Sequence, residues 1–284
     1  MRKGIILAGG TGSRLHPATI VVNKQLIPVY DKPMIYYSLS TLMQAKCRDI
    51  LLISSKKYLP LYKKLFGSGS EIGINIKYKI QPKPSGIAQA FLIGEKFLNK
   101  SKCILILGDN IFWGNHIEKL LKNNIDNSGA TIFLYNVNNP DSYGVAQIKK
   151  NVIKKIVEKP KKFISNKAIT GLYFFDEKVS AYAKKLKFSL RGELEITDLI
   201  NKYLENNELS YEIFDKGNAW LDAGSHSDLV ESSMYVKTIQ KRLGLMIGSI
   251  HEISYQNKWI TKKKLNRIIE KLGRNDYSEY LKKL

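Results

Sequence analysis

The stretch Lys3 to Pro28, KGIILAGGTGSRLHPATIVVNKQLIP, limits what this chain can become more than any other part of it. Gly4 to Ala8 is short, apolar and rich in β-branched residues, the pattern of a strand buried on both faces. It stops at Gly9-Gly10-Thr11-Gly12-Ser13, where glycines and two hydroxyl residues let successive N–H groups turn toward one anion. Arg14 and Lys24 follow as two cations. A Gly-rich turn after a buried strand, with fixed positive charge beside it, suits a nucleoside triphosphate. Two other Gly-rich loops are excluded by spacing. A Walker A loop needs Lys-[Ser/Thr] after its last glycine, and here Ser13-Arg14 follows. A dinucleotide loop needs a third glycine, which Leu15 replaces. The plainer reading, glycines that only allow tight strand-to-helix packing, loses ground once Arg14 and Lys24 are counted.

The remaining first half alternates in the same way. Pro33–Ala45 has apolar residues at helical spacing, Asp49–Ser54 reads as a second buried strand, and Leu59–Phe66 as a short helix closed by Gly67-Ser68-Gly69. Ile74–Gln81 reads as a third strand, Ile87–Leu98 as a helix, and Cys103–Leu107 as a fourth strand ending at Gly108-Asp109-Asn110. Alternating strands and helices predict an α/β fold with a mostly parallel, doubly wound, Rossmann-like sheet. Ligands of such sheets sit beyond the carboxyl ends of the strands. The Gly loop, the turn Gln81–Gly86 and Asp109 all fall there. From Ala130 onward the pattern changes. Thr131–Val137 is a strand, Tyr143–Ile148 and Val152–Val157 a hairpin, and Ala168–Phe175 a further strand, so this section should be smaller and more antiparallel. Glu195 to about Asn206 and Ser225–Arg242 read as helices, and Leu245–Leu284 as a largely helical tail. The expected boundaries are 1–242 for a catalytic domain, with halves 1–129 and 130–242, and 243–284 for a helical C-terminal segment.

Composition removes some function classes. No apolar run approaches the roughly 18 residues of a membrane span, and no signal-peptide pattern opens the chain. Two cysteines, Cys47 and Cys103, lie in apolar context without metal spacing and read as buried thiols of a cytoplasmic protein. The net charge of +21 would suit a nucleic acid. Lysine outnumbers arginine heavily, however, the charge is spread along the chain, and no nucleic-acid motif accompanies it, so a lysine-biased composition explains it better.

The run GIILAGGTGSRLHPATIVVNKQLIPVYDKPMIYY resembles the signature of the sugar-phosphate nucleotidyltransferases, and within them the thymidylyltransferase branch. The resemblance extends over nearly the whole chain. It implies Mg²⁺-dependent transfer of a nucleotidyl group from dTTP to glucose 1-phosphate, in a homo-oligomer, expected to be a tetramer, with no membrane or specific nucleic-acid partner. A UTP-dependent enzyme is the nearest alternative. A protein that binds nucleotide or nucleic acid without catalysis is the alternative of another class.

By the resemblance, Arg14, Lys24, Asp109 and Asp222 are catalytic, and Asp109 and Asp222 hold the metal. Ala8, Gly9, Gly10, Thr11, Gly12, Ser13, Gln25, Gln81, Pro84 and Gly86 join Asp109 on the nucleotide side, with the base at Gln81 and Gly86. A carboxamide can pair with an imide edge, and a glycine admits close backbone approach. The sugar phosphate falls to Tyr143, Gly144, Glu158, Lys159, Ile169, Thr170, Tyr173, Arg191 and Trp220. Read without the resemblance, Asp109 could equally cap a turn, Glu158-Lys159 could be a solvated turn, and Trp220 could be core.

Four departures from the family pattern stand out. They are His16 for Tyr, Asn23 for Ser, Ala223 and Ser225 for threonines, and Asp215-Lys216-Gly217-Asn218 for Gly-Arg-Gly-Tyr. The last bears on a regulatory nucleotide site that the family's C-terminal region forms. Tyr255, Trp259, Tyr277 and Tyr280 are expected to be core or interface aromatics of that region.

Overall fold

Four parallel strands end level with one another, and that levelness places the site. The computed structural model describes residues 2–284. In chain order the first strands are β1 (Lys3–Ala8), β2 (Pro28–Val29), β3 (Lys32–Pro33), β4 (Asp49–Ser54), β5 (Asn75–Ile80), β6 (Cys103–Leu107) and β7 (Asn110–Gly114). They are followed by β8 (Ala130–Asn136), β9 (Gly144–Lys149), β10 (Val152–Glu158), β11 (Lys167–Phe175), β12 (Leu209–Ile213) and β13 (Asn218–Asp222). The main sheet runs β10-β9-β11-β6-β1-β4-β5, with β8 also paired to β11 and β12 to β8. Strands β6, β1, β4 and β5 are mutually parallel. Their registers set Leu107 beside Leu7, Ala8 beside Ser54, and Ser54 beside Ile80. The turns after β1, β5 and β6 therefore open on one edge. Beyond β6 the sheet turns antiparallel through β11, β9 and β10, as expected for the second half.

The helices are α1 (Ile35–Gln44), α2 (Leu59–Phe66), α3 (Gln89–Ile93), α4 (Glu95–Leu98), α5 (Ile117–Asn123) and α6 (Val179–Ala183). They continue with α7 (Ile196–Glu205), α8 (His226–Leu243), α9 (Ile250–Gln256), α10 (Lys262–Leu272) and α11 (Asp276–Lys282). Strands β1, β4 and β6 bury both faces, which is why each reads as a largely apolar run, while β5 at the sheet edge alternates buried Ile76 with exposed lysines. Ile6, Ile50, Leu52, Ile104 and Ile106 pack with α1 and α2 residues, while Ile5, Leu51, Ile53 and Leu105 pack with Phe91 of α3 and Leu199 of α7. At about 1.5–3 kcal/mol per fully buried side chain, these nine residues outweigh any one ion pair. The core, not the charged cluster at its edge, holds the sheet.

The structure corrects several expectations. The helix foreseen over Ile87–Leu98 is broken into α3 and α4 at Gly94, where the chain presses on Ile5 and Leu51. Pro33 belongs to β3, and α1 begins only at Ile35. Strands β7, β12 and β13 were not foreseen; each is only five residues long, and although β12 alternates apolar and polar residues, β7 and β13 show no such period. The long helix α8 starts where expected, at a Ser225–Asp228 capping box.

The C-terminal tail is tied down by polar contacts as well as packing. Ile250 joins the main core, the Ser254 hydroxyl donates to the Ile72 carbonyl at 2.6 Å, and His251 Nδ1 lies 2.8 Å from the Tyr277 hydroxyl. Tyr255, Tyr277 and Tyr280 pack on a small cluster of the tail's own, and Trp259 packs against the main core. Burial depresses His251 from its ordinary value to about 4. The folded state thus keeps this imidazole neutral where the unfolded chain, titrating near 6.5, binds a proton. Its contribution is complete above pH 6.5 and is lost as pH falls toward 4, by at most about 3 kcal/mol. Urea denaturation of the wild type and a His251→Asn variant between pH 7 and 4 should show the wild type losing more stability. Parallel curves would contradict this.

Candidate active site

The site is built where β7 and β13 leave the main sheet as a separate antiparallel pair. Their register sets Asp222 opposite Asn110, and the Ala223 N–H donates to the Asp109 carbonyl at 3.3 Å. Two acids 113 positions apart in sequence are thereby neighbours. The pair is held by one buried carboxamide. Asn110 Oδ1 accepts from the Gly171 N–H at 2.9 Å and from Trp220 Nε1 at 2.6 Å, while its Nδ2 donates to Asp109 Oδ1 at 3.0 Å. Gly171 lies at the irregularity in the β11–β8 ladder, and a Cβ there would sit 2.5 Å from Asn110 Oδ1.

Lys24 meets the acids from the other side. Its ammonium is 2.5 Å from Asp109 Oδ2, and the side chain is 6% exposed against 19% for Asp109. The single turn Lys24–Leu26 that carries it is capped by Asn23, whose Oδ1 accepts from the Gln25 N–H at 3.2 Å and from the buried Tyr62 hydroxyl. The departure at position 23 thus supplies a cap and an anchor together. His16, the other departure in this loop, contacts the Thr19 hydroxyl at 2.8 Å through Nδ1, and Thr19 donates to the Gly12 carbonyl at 2.7 Å. Arg14 is exposed and lays its guanidinium over Gly224, where a Cβ would come within 3.2 Å of it.

A cleft of about 210 Å³ runs from Arg14, Asp109 and Asp222 past Tyr143, Gly144 and Trp220 to Glu158, Lys159 and Arg191. Burial, and then the charge of Asp109, push Asp222 up to about 7 despite Lys24 and Arg14. Tyr143 is pushed up to about 12 by burial first and by Asp222 next. Ile169 and Tyr173 line the cleft from β11, and burial raises the Tyr173 phenol. Thr170, between them, faces the other way: it is fully buried and donates to the Phe133 carbonyl at 2.9 Å. Lys159 sits in the left-handed region at φ 42°, directly after β10, and its ammonium makes no ion pair among the described residues. Arg191 is engaged instead, at 2.7 Å from Glu195 Oε2 and 3.4 Å from Glu158 Oε1. Burial and Glu195 raise Glu158; for Glu195, bonds from Arg191 and Ser189 overcome burial and lower it. Trp220 is both wall and core, edge-on to Tyr143 with ring centroids 5.1 Å apart.

The residues expected on the nucleotide side lie next to this cleft. Gly9 touches Gln81, Gly12 touches Lys24, and Gly108 touches the stem of Gln25 and Ala8. Thr11, Ser13 and Pro84 are exposed, and a Cβ on Gly10 would meet open space. Gly86 has φ +98°, and a Cβ there would be 2.3 Å from the Leu194 carbonyl oxygen, so this position also locks the turn to the segment before α7. Gln25 is buried and its Oε1 has no partner. Thr197 is also buried with an unpaired hydroxyl and lines the cleft.

In the sequence Asn110 reads only as a turn residue beside Asp109, and Thr197 both as a first-turn helix residue and as part of the segment Arg191 to Asp198 that resembles the family's sugar site. No group of three or more His, Cys, Asp or Glu that could hold a metal ion occurs among the described residues, so a metal at this site would rest on the two acids. Two hard oxygen donors fit Mg²⁺, which takes its other ligands from substrate oxygens and water.

A family model described as nucleotidyl transferase matches residues 3–239. The chain belongs to this nucleotidyl transferase family. Among curated relatives, the glucose-1-phosphate thymidylyltransferase of Neisseria meningitidis is 48% identical over 99% of each chain. That of Xanthomonas campestris is 49% identical over 99% of this chain and 96% of its own. A solved structure from Bacillus anthracis, assigned as the same enzyme and holding sucrose, has a TM-score of 0.77 at 42% identity, covering 83% of this chain and 95% of that one. A UDP-glucose pyrophosphorylase with bound UDP-glucose shares the fold, with a TM-score of 0.74 at 22% identity over 84% of this chain and 99% of that one. No helix of this nucleotidyltransferase among the described residues is long and apolar enough to cross a membrane.

Replacing Asn110 by Ala in the nucleotidyltransferase would leave the Gly171 N–H and Trp220 Nε1 buried without an acceptor. The expected cost is roughly 2–4 kcal/mol, read from the denaturation midpoint, with turnover falling as Asp109 loses its orientation. Wild-type stability in this variant would show that the carboxamide is not the tie.

Proposed function

We propose that the protein catalyses the reaction of dTTP with α-D-glucose 1-phosphate to give dTDP-glucose and pyrophosphate, the first step of dTDP-rhamnose and related deoxysugar synthesis. The observation that carries this reading is the meeting of Lys24, Asp109, Asp222 and Arg14 at one end of a cleft whose other end holds Glu158 and the unpaired Lys159. A sugar phosphate is already nucleophilic at neutral pH, so no side chain has to attack. One of its phosphate oxygens bonds to the α-phosphorus of dTTP, the bond to the bridging oxygen breaks, and pyrophosphate departs with the electron pair.

The residues position and neutralise. Arg14 meets the triphosphate and its leaving pyrophosphate. Lys24 serves the phosphates flanking the reacting centre. Lys159 balances the sugar phosphate, Glu158 accepts from sugar hydroxyls, and Trp220 with Tyr143 walls the ring. Arg191 joins the phosphate when it exchanges a carboxylate partner for it. Asp109 and Asp222 would hold Mg²⁺, which when bound supplies positive charge against the phosphate oxygens. The elevated Asp222 fits such a role, because two acids this close call for a cation.

We place the enzyme in the cytoplasm as a homotetramer. The fully buried thiols of Cys47 and Cys103 suit a reducing compartment. Exposed Val230 and Met234, one turn apart on α8, offer an apolar stripe for contacts between copies.

The deciding assay is pyrophosphate release with Mg²⁺, glucose 1-phosphate and each nucleoside triphosphate. Fast release with dTTP and slower release with UTP is expected; the thymine methyl is worth only about 1 kcal/mol. Preference for UTP would move the protein to another pathway, and silence with every pair would leave a binding protein. Chelation should abolish turnover and Mg²⁺ restore it. Asp109→Asn should abolish turnover with an unchanged circular dichroism spectrum, and substantial activity at saturating Mg²⁺ would refute its metal role.

A further inference from the structure

We infer that Gln89, which lies outside the reacting centre, decides which atom of Gln81 faces the nucleotide base and so makes the pocket selective for a base edge that donates. The inference rests on the reading of this site as a dTTP site. Gln89 opens α3, just beyond the turn that carries Ser85 and Gly86. Its Oε1 lies 2.7 Å from Gln81 Nε2 and 3.4 Å from the Ser85 N–H, which it shares with the Lys83 carbonyl at 2.9 Å. A backbone N–H can only donate, so the Gln89 atom that faces it is the oxygen. That oxygen also faces Gln81, which must answer with its own donor, Nε2.

The remaining carboxamide atom of Gln81 is then Oε1. It lies against Gly9 at the head of the nucleotide loop, 1.9 Å from where a Cβ on Gly9 would stand. Gln81 is only 4% exposed, and no donor among the described residues satisfies that oxygen. The relay cannot easily turn over, because its source is fixed. The Ser85 carbonyl accepts from the Leu194 N–H at 2.9 Å, and Gly86 is pressed on the Leu194 backbone. The polarity of one backbone N–H is thus handed through Gln89 to Gln81 and out to the base. Thymine and uracil offer N3–H to such an oxygen. Cytosine offers a lone pair at N3, which the oxygen repels. A site built around one polar partner rejects an analogue that cannot supply it far more strongly than an apolar pocket rejects a methyl group. Gln89 is therefore a positioning residue, half-buried and outside the residues that line the cleft.

The test uses the full-length enzyme, with kcat and KM from pyrophosphate release for dTTP and dCTP at saturating glucose 1-phosphate and Mg²⁺. Gln89→Leu removes the acceptor. It should lower kcat/KM for dTTP at least tenfold, chiefly through KM, and shrink the dTTP-over-dCTP preference at least tenfold. The KM for glucose 1-phosphate should not move. Gln89→Glu keeps an acceptor toward both partners and should retain the preference. Melting curves screen for folding, and Gln89→Met takes the place of the leucine variant if the latter does not fold. An unchanged preference in a folded leucine or methionine variant overturns the inference, as does a loss confined to kcat. A wild type that is silent with dTTP brings down the proposed reaction and this inference together.

Discussion

The carboxamide of Asn110 is the contact on which the rest of the site depends. It holds three strands that the main sheet does not hold together: its own β7, the irregular stretch of β11 at Gly171, and β13 through Trp220. Without it the β7–β13 pair that carries both acids would lose its side-chain tie to β11. With it, the oxygen Oδ1 of Asp109 is fixed, leaving Oδ2 to Lys24. One buried polar group with three hydrogen bonds thus specifies an arrangement that hydrophobic packing alone would leave loose.

Charge balance explains why the cluster is poised rather than self-contained. Two carboxylates face Lys24 and Arg14, so formal charge is nearly even, yet burial and Asp109 still lift Asp222 well above the carboxylate range. Arg14 is exposed and Lys24 is committed to Asp109, so neither serves Asp222 well. At the far end of the cleft three carboxylates face two cations. Arg191 is shared among Glu158, Glu193 and Glu195, and only Lys159 remains uncommitted.

The same economy appears in the loops. Gly9, Gly86 and Gly171 each mark a place where a side chain oxygen or a backbone oxygen occupies the space of a Cβ. The first lets Gln81 reach the nucleotide loop, the second locks the base turn to the segment before α7, and the third admits Asn110. Each is a contact between segments far apart in sequence, which explains why local reading recognises such glycines as loop residues without seeing what they accommodate.

Local chemistry determined much of this protein. The buried strands β1, β4 and β6 announce themselves as apolar runs because both faces are covered, the edge strand β5 by its alternation, and their connections dictate parallel pairing. The cations Arg14 and Lys24 beside a Gly-rich turn are legible for the same reason: the constraint lies within a few residues. Gly94 breaking a helix, Thr170 facing away from the cleft and Arg191 answering to three acids were not legible. Nor was the Gln81–Gln89 pairing or the β7–β13 ladder. Each depends on a partner tens of residues away and on which face of a strand or helix meets it. Sequence spacing sets what a residue can do, and only the packed chain decides what it faces.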